Sequence, residues 1–173
     1  MTLPGSVGVS GHQARTGIDW EWVAKSVGDV LREKAPVSRV FSSLAAGSDQ
    51  VFAEEALAQG IPVTAFIPFP DYERCFTEGL GRYRELLSRC ERVVLDGAPS
   101  DQEAFMEAGR RVADNSATLI AIWDGKPAGG YGGTADVVAY ALCRGCSVIH
   151  INPILRTVSE LEPDHTPLGG KLG

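Results

Sequence analysis

The chain has 173 residues, of which 44% are hydrophobic and 22% charged, which is an ordinary globular composition. A chain of this length can bury a hydrophobic core without cross-links. A net charge of -6 argues against an extensive nucleic-acid interface, which would need clustered Lys and Arg. No apolar run is long enough to span a membrane, and four scattered cysteines do not suggest a disulfide framework. We therefore expect a cytoplasmic protein that does not enter membranes.

Apolar periodicity predicts strands that alternate with helices along the chain. The predicted strands cover residues 6–10, 39–43, 61–67, 92–95, 118–123 and 147–151. Helices are predicted to begin after Asp19, near Ser48, at Phe76, after Ser100 and at Asp136, with Ser100 and Glu103 forming a capping box. This alternation predicts an α/β fold, a single Rossmann-like, doubly wound and mainly parallel sheet of six or seven strands with helices on both faces.

The domain boundaries follow from composition. We place the Rossmann-like domain in residues 1–152, because no linker or internal repeat interrupts it. Residues 153–173 are rich in proline and glycine and are predicted to form a C-terminal tail that is draped over the surface or disordered.

Polar and glycine residues follow four of the predicted strands. In a sheet of this kind ligands bind beyond the carboxyl ends of the strands, so loops 10–13, 46–49, 68–70 and 124–125 should converge on one rim. The candidate ligand contacts in the first two loops are Gly11, His12, Gly47, Ser48 and Asp49. Each also has a purely structural interpretation, since Ser48 and Asp49 would cap a helix and His12 would fit a turn.

The segment 129–136 lies between the predicted fifth strand and the fifth helix. Its glycines let the backbone approach an anion closely, and the following helix start offers unpaired N–H groups and a positive dipole end. This pattern predicts a phosphate-binding loop contacted through Gly130, Gly132, Gly133 and Thr134, although a tight turn would have the same composition.

Other reactive residues give weaker signals. Cys143 and Cys146 form a C-x-x-C at the end of a helix, whereas a redox pair normally lies at a helix start, so inert thiols are the better interpretation. With only three histidines and one such cysteine pair we assign no metal and no cofactor. Arg110 and Arg111 are interpreted as solvated charges, with a phosphate contact as the alternative.

The ordered combination of these motifs resembles a known superfamily. Segments 7–12, 46–49, 60–63, 66–70, 123–125 and 132–136 together look like the SLOG superfamily, whose Rossmann-like domains are related to the Smf DNA-processing proteins and the LONELY GUY phosphoribohydrolases. The resemblance covers residues 5–152 and implies a nucleotide or nucleotide-derived ligand. By position it implies contacts from Gly11, Gly47, Ser48, Gly132, Gly133 and Thr134.

Comparison with the LONELY GUY pattern, Pro-Gly-Gly-x-Gly-Thr-x-x-Glu, separates two functions. Val137 stands where that pattern has its glutamate, and the nearest carboxylate, Asp136, is displaced by one residue, a rotation of about 100° on a helix. We therefore favour a sensor or carrier module that binds a nucleotide-like small molecule. The alternative is a nucleoside-monophosphate phosphoribohydrolase in which Asp136 or Asp124 is the catalytic carboxylate.

Partners are predicted less specifically. A single-stranded DNA binder, by analogy with the Smf branch, is disfavoured by the net charge of -6. The resemblance also implies self-association, because SLOG relatives commonly form oligomers. The helix that carries Trp20 and Trp22 is the candidate contact for a homo-oligomer, since aromatic residues are enriched in interface cores.

Overall fold

A computed structural model of the chain describes residues 2–163, in which strands and helices alternate as the sequence predicts. The strands are β1 (Ser6–Gly11), β2 (Arg39–Ser42), β3 (Val63–Ile67), β4 (Glu91–Val94), β5 (Thr118–Ile122), β6 (Ser147–Asn152) and β7 (Thr157–Leu161). The α-helices are α1 (Trp20–Glu33), α2 (Ser48–Ala58), α3 (Leu80–Leu87), α4 (Asp101–Asp114) and α5 (Thr134–Cys143), and a 3₁₀ helix covers Tyr72–Cys75.

The strands form one seven-stranded sheet in the order β4-β3-β2-β1-β5-β6-β7. Every pairing is parallel except that of β6 with β7, which is antiparallel. The chain builds outward from β1 through β2 and β3 to β4, and then returns to the other side of β1 to form β5. This reversal between β1 and β5 is the switch point of a doubly wound sheet, so the predicted Rossmann-like α/β fold is confirmed.

Strand β5 shows why helices cover both faces of the sheet. All five of its residues are buried, and successive side chains point to opposite faces. Ile120 and Ile122 pack in the cluster beneath α1 and α2, whereas Leu119 and Ala121 pack in the cluster beneath α4 and α5. A continuous apolar run is therefore required on a central strand, because neither face is open to water.

Two predicted helix starts are confirmed by their capping hydrogen bonds. The side chain of Asp19 accepts from the N–H of Trp22 at 3.1 Å, and the hydroxyl of Ser100 accepts from the N–H of Glu103 at 3.2 Å. Trp20 and Trp22 are half-buried and pack against the core, and self-association through this helix stays a prediction.

The predicted tail requires a correction, because its first part folds back as β7. Asn152 and Thr157 are partners in the β6–β7 register, so Pro153 to Arg156 form the turn. The Asn152 side-chain oxygen accepts from the N–H groups of Ile154 and Leu155, each at 3.0 Å. The proline and glycine content of the whole segment obscured the β-forming Thr157-Val158 pair. Residues 164–173 of the predicted tail lie outside the described residues.

The third helix also begins later than predicted. Residues Tyr72–Cys75 form a separate 3₁₀ helix, and α3 starts at Leu80 after Gly79, whose φ of 74° is left-handed. The remaining element boundaries lie within two residues of the prediction. Within residues 2–163, no helix combines the length and apolar character needed to cross a membrane.

Gly47 sets the distance between the β1–α1 loop and the start of α2. A β-carbon at this position would lie 2.5 Å from the backbone nitrogen of Ala14 and 2.9 Å from the carbonyl oxygen of His12, and the φ of 95° disfavours any L side chain. Glycine is therefore required twice here, for backbone conformation and for space.

Gly47→Ala should consequently lower the free energy of unfolding by roughly 3 kcal/mol or more, because left-handed strain and a backbone clash add together. Gly60→Ala is the matched control, since Gly60 also has a positive φ of 73° but meets no atom within 4 Å. Its cost should be only about 1 kcal/mol. Urea denaturation of both variants measures the difference, and equal losses would show that the close approach is not needed.

Candidate ligand-binding cleft

A cleft of about 550 Å³ opens at the carboxyl ends of β1, β2, β3 and β5, beside the switch point. The loops that follow all four strands contribute to its lining. Parallel strands present their carboxyl ends at the same edge of a sheet, which brings together loops from distant parts of the sequence. This convergence is the one expected from the strand pattern.

The predicted site residues fall into two groups. Those that line the cleft are Gly11, His12, Asp49, Asp124, Gly132, Gly133 and Thr134. Those that do not line the cleft are Gly47, Ser48, Gly130 and Asp136. The second group needs a structural explanation, because the sequence analysis placed these residues at the ligand.

Ser48 connects two loops of the protein. It is fully buried, its hydroxyl donates to the carbonyl oxygen of His12 at 2.7 Å, and its N–H donates to the same oxygen at 3.1 Å. Gly11 completes the contact, since a β-carbon there would lie 2.6 Å from Ser48. With both donors of Ser48 engaged, this residue and Gly47 shape the cleft from behind.

Asp136 has a similar supporting role in the glycine loop. Its carboxylate accepts from the N–H of Gly132 at 2.9 Å, so it folds the loop back onto the first turn of α5. Gly132 has a φ of 89°, and a β-carbon there would lie 2.9 Å from the carbonyl oxygen of Gln102, which explains the glycine. The carboxylate predicted as a catalytic candidate is therefore directed at the protein backbone.

The start of α5 presents two backbone donors at the cleft. Gly133 is the N-cap and supplies no side-chain cap, and Thr134 and Ala135 line the cleft. Across the described part of the chain, no hydrogen bond is donated by the N–H groups of Thr134 and Ala135. These donors and the positive end of the helix dipole together favour an anion at this end of the cleft.

His12, Asp124 and Arg15 form the polar side of the cleft. Of these three residues, only Arg15 was not predicted from the sequence. The ring Nε2 of His12 accepts from the backbone N–H of Asp124 at 3.1 Å, so the ring is neutral with its proton on Nδ1. Burial and then the charge of Arg15 lower the pKa of His12, although Asp124 acts in the opposite direction. Arg15 lies 3.6 Å from the Asp124 carboxylate and is 44% exposed, which leaves its guanidinium accessible to a ligand.

Asp124 is held as an anion. Burial would raise the pKa of its carboxyl, but the hydrogen bond from the N–H of Lys126 and the charges of Arg15 and Lys126 hold it below its usual range. Lys126 also lines the cleft and was not singled out from the sequence. This side of the cleft therefore carries two flexible cations around one fixed carboxylate.

Asp49 is another carboxyl of the cleft and lies in a different environment from Asp124. It is 8% exposed, and its Oδ2 accepts from the N–H of Ala45 at 3.3 Å. Burial raises its pKa to about 7, against the lowering effect of the backbone N–H groups of Ala45 and Ser43. The predicted capping role of Ser48 and Asp49 is wrong, because Gly47 is the N-cap of α2 and no side chain caps the start of this helix.

An aromatic wall, formed by Tyr72, Phe76 and Phe105, lines the cleft and was also missed. The ring of Tyr72 lies 5.1 Å from that of Phe76 and 6.4 Å from that of Phe105, in edge-to-face arrangements. Phe76 was interpreted as a core residue of a helix because its apolar spacing continued into α3. The only sequence signal for a binding role was the position of segment 72–76 after the third strand.

The weaker candidates stay outside the cleft. Arg110 donates to the Tyr131 hydroxyl at 2.9 Å and lies 3.7 Å from Glu107, and Arg111 pairs with Glu107 at 3.1 Å. Cys143 is exposed and Cys146 is buried. Within residues 2–163, no group of three or more His, Cys, Asp or Glu side chains could hold a metal ion.

Solved structures of other proteins share this fold. DNA processing protein A from Streptococcus pneumoniae matches with a TM-score of 0.61 and 21% identity, over 85% of this chain and 50% of that one. DNA processing protein A from Helicobacter pylori, a structure that addresses a single-stranded DNA binding mode, matches with a TM-score of 0.59 and 17% identity, over 86% of this chain and 66% of that one. The chain thus spans half of the first protein and just under two thirds of the second.

A third structure, that of TM1055, matches with a TM-score of 0.52 and 18% identity, over 86% of this chain and 72% of that one. No protein-family profile and no curated protein matches the sequence. At these identities the similarity establishes the fold. The Rossmann-like fold that the resemblance to the SLOG superfamily implies is thereby confirmed.

Proposed function

We propose that the cleft binds a nucleotide or a nucleotide-derived small molecule, and that the protein acts as a sensor or carrier of it. The volume of about 550 Å³ lies within the range of small-molecule sites, which is about 300–1,000 Å³. The observation that carries the proposal is that one part of the cleft lining is rich in hydrogen-bond donors and another part is aromatic. The start of α5 offers backbone donors for a phosphate, and the aromatic wall offers a surface for a base.

Electrostatics support the same orientation of the ligand. Arg15 and Lys126 are flexible cations near Asp124, and the loop between β5 and α5 contributes both Lys126 and the donors of Thr134 and Ala135. A phosphate at the helix start would lie on the cationic side of the cleft. The base would then extend towards Asp49 and the aromatic wall.

The alternative function, hydrolysis of a nucleoside monophosphate, has weaker support. Asp136 accepts from the Gly132 N–H and does not line the cleft. Asp124 lines the cleft, but its carboxylate is 3.5 Å from the His12 ring and 3.6 Å from Arg15. A carboxylate already neutralised by a cation is a poor stabiliser of a developing oxocarbenium ion.

Single-stranded DNA is the second candidate ligand. It is favoured by the similarity to the Helicobacter pylori protein, which weighs against treating nucleic acid as excluded by charge alone. The net charge of -6 and the two cations of the cleft limit the number of phosphates that this chain could neutralise. A mononucleotide needs only one such contact.

Binding should be visible as thermal stabilisation. At a ligand concentration about 100 times the dissociation constant, linkage adds about 2.7 kcal/mol and raises the melting temperature by several degrees. Arg15→Ala should weaken nucleotide affinity roughly 10- to 100-fold, because a hydrogen bond to a charged phosphate is lost. Arg89→Ala, which removes an exposed arginine paired with Glu85 on α3, is the matched control and should leave the shift unchanged.

A panel of nucleoside mono-, di- and triphosphates in differential scanning fluorimetry tests this. No shift with any member would count decisively against the proposal. A shift that Arg15→Ala and Arg89→Ala change equally would mean that the phosphate lies elsewhere.

Incubation with nucleoside monophosphates should release no free base above the uncatalysed background, because neither carboxylate is placed to act on the sugar. Chromatography of the reaction mixture measures the release. If base does accumulate, Asp124→Asn and Asp136→Asn identify the group responsible. Release that is lost only in Asp124→Asn, with nucleotide binding kept, would establish the hydrolase in place of the sensor or carrier.

For DNA, fluorescence anisotropy with a labelled single-stranded oligonucleotide should give a dissociation constant weaker than about 1 μM at physiological salt, in the non-specific range. Sub-micromolar affinity that falls steeply with added salt would instead favour DNA as the ligand. Competition by a mononucleotide would then show whether both occupy the cleft.

A further inference from the structure

Asp49 is a buried carboxyl without a cationic partner. It is 8% exposed and lines the cleft, and among residues 2–163 no salt bridge to it is present. Burying an ionised carboxylate without a counter-charge is costly unless hydrogen-bond donors compensate for the lost water. The protein itself supplies only backbone donors from the loop before α2.

Those backbone donors define the chemistry that Asp49 offers to a ligand. The N–H of Ala45 donates to Oδ2, so the carboxyl is oriented as a hydrogen-bond acceptor. An ionised carboxylate has two oxygens and about four lone-pair sites, so the backbone donors of Ala45 and Ser43 leave acceptor capacity in a side chain that lines the cleft. A ligand that fits this end must therefore bring N–H donors.

The aromatic wall lines the same cleft as this carboxyl. Burial raises the pKa of Tyr72 well above its usual value, and the charge of Asp49 contributes further. Phe76 and Phe105 extend the same surface and are half-buried. A planar heterocycle packed on this wall would direct its edge towards the Asp49 carboxylate.

We propose that Asp49 selects the base, by accepting two adjacent N–H donors from a guanine-type heterocycle that packs against Tyr72, Phe76 and Phe105. Guanine presents the ring N–H and the exocyclic amine side by side, which matches the two oxygens of a carboxylate. Adenine presents a ring nitrogen acceptor beside its amine, so one carboxylate oxygen would face a lone pair. This inference depends on the proposed function, because it names the base of the same nucleotide.

Selection by Asp49 requires its ionised form, so it depends on pH. The other titratable or charged groups that line the cleft are Tyr72, Cys75, Glu78, His12, Arg15, Asp124 and Lys126. The pKa of His12 is lowered and those of Tyr72 and Cys75 are raised, while that of Asp124 is lowered. Of the groups whose pKa is shifted in the cleft, Asp49 is the one brought to about 7, where it changes charge near neutral pH.

The test is calorimetric titration with guanosine, inosine and adenosine monophosphates at pH 6, 7 and 8. Guanosine monophosphate should bind roughly 10- to 100-fold more tightly than adenosine monophosphate at pH 8, with inosine monophosphate between them because it lacks the exocyclic amine. The ratio of guanosine to adenosine affinity should rise up to about tenfold per pH unit below pH 7 and level off above it. Using the ratio cancels the titration of the phosphate, which all three ligands share.

Asp49→Asn should abolish both the preference and its pH dependence while keeping adenosine monophosphate binding. Asp29→Asn, which changes an exposed aspartate on α1, is the control and should retain both. If Asp49→Asn does not fold, the pH dependence of the ratio in the unmodified protein decides. Equal affinities with a flat ratio would overturn the role of Asp49 and leave nucleotide binding intact, whereas no binding of any monophosphate would overturn the proposed function itself.

Discussion

The carbonyl oxygen of His12 is the point on which the cleft depends, because Ser48 donates to it through both its hydroxyl and its N–H. This link joins the loop after β1 to the first residue of α2. The absence of a side chain at Gly47 permits the close approach, and the adjoining residues carry the polar groups of the cleft. His12 and Arg15 lie on one side of the link and Asp49 lies on the other, so their separation is set by a contact in which Ser48 is fully buried.

The same link explains how far the sequence could predict the site. The rim was predictable because fully buried strands read as continuous apolar runs, and the carboxyl ends of parallel strands must meet at one edge. The different roles of neighbouring residues in these loops could not be predicted. Ser48 and Asp49 are adjacent on α2, yet the hydroxyl of Ser48 binds a carbonyl 36 positions away while Asp49 lines the cleft, and motif spacing contains no information about that partner.

Asp136 and β7 show two other sources of error. Helix geometry predicted that Asp136 lies one residue away from the catalytic position. The sequence could not predict that its carboxylate binds the N–H of Gly132, because that contact depends on the path of the loop. Strand β7 was not predicted because the proline and glycine content was judged over the whole of segment 153–173. That segment contains both a turn and a strand, which favour different residue types. The aromatic wall was missed for a related reason, since Phe76 and Phe105 are distant in sequence and each alone resembles an ordinary core residue.

Asp124 and Asp49, two of the carboxyls that line the cleft, illustrate how one site can combine fixed and variable charge. Asp124 has cations and a backbone donor around it, so its pKa falls and it contributes a constant negative charge beside Arg15 and Lys126. Asp49 is more deeply buried and has only backbone donors, so its pKa rises to about 7 and its charge responds to what lies beside it. Donors on a ligand would favour the ionised form, and by reciprocity the ionised form would favour such a ligand. In the proposed complex the phosphate end would meet a constant charge while the base end would discriminate, which is the arrangement expected if binding and selectivity are separate tasks within one cleft.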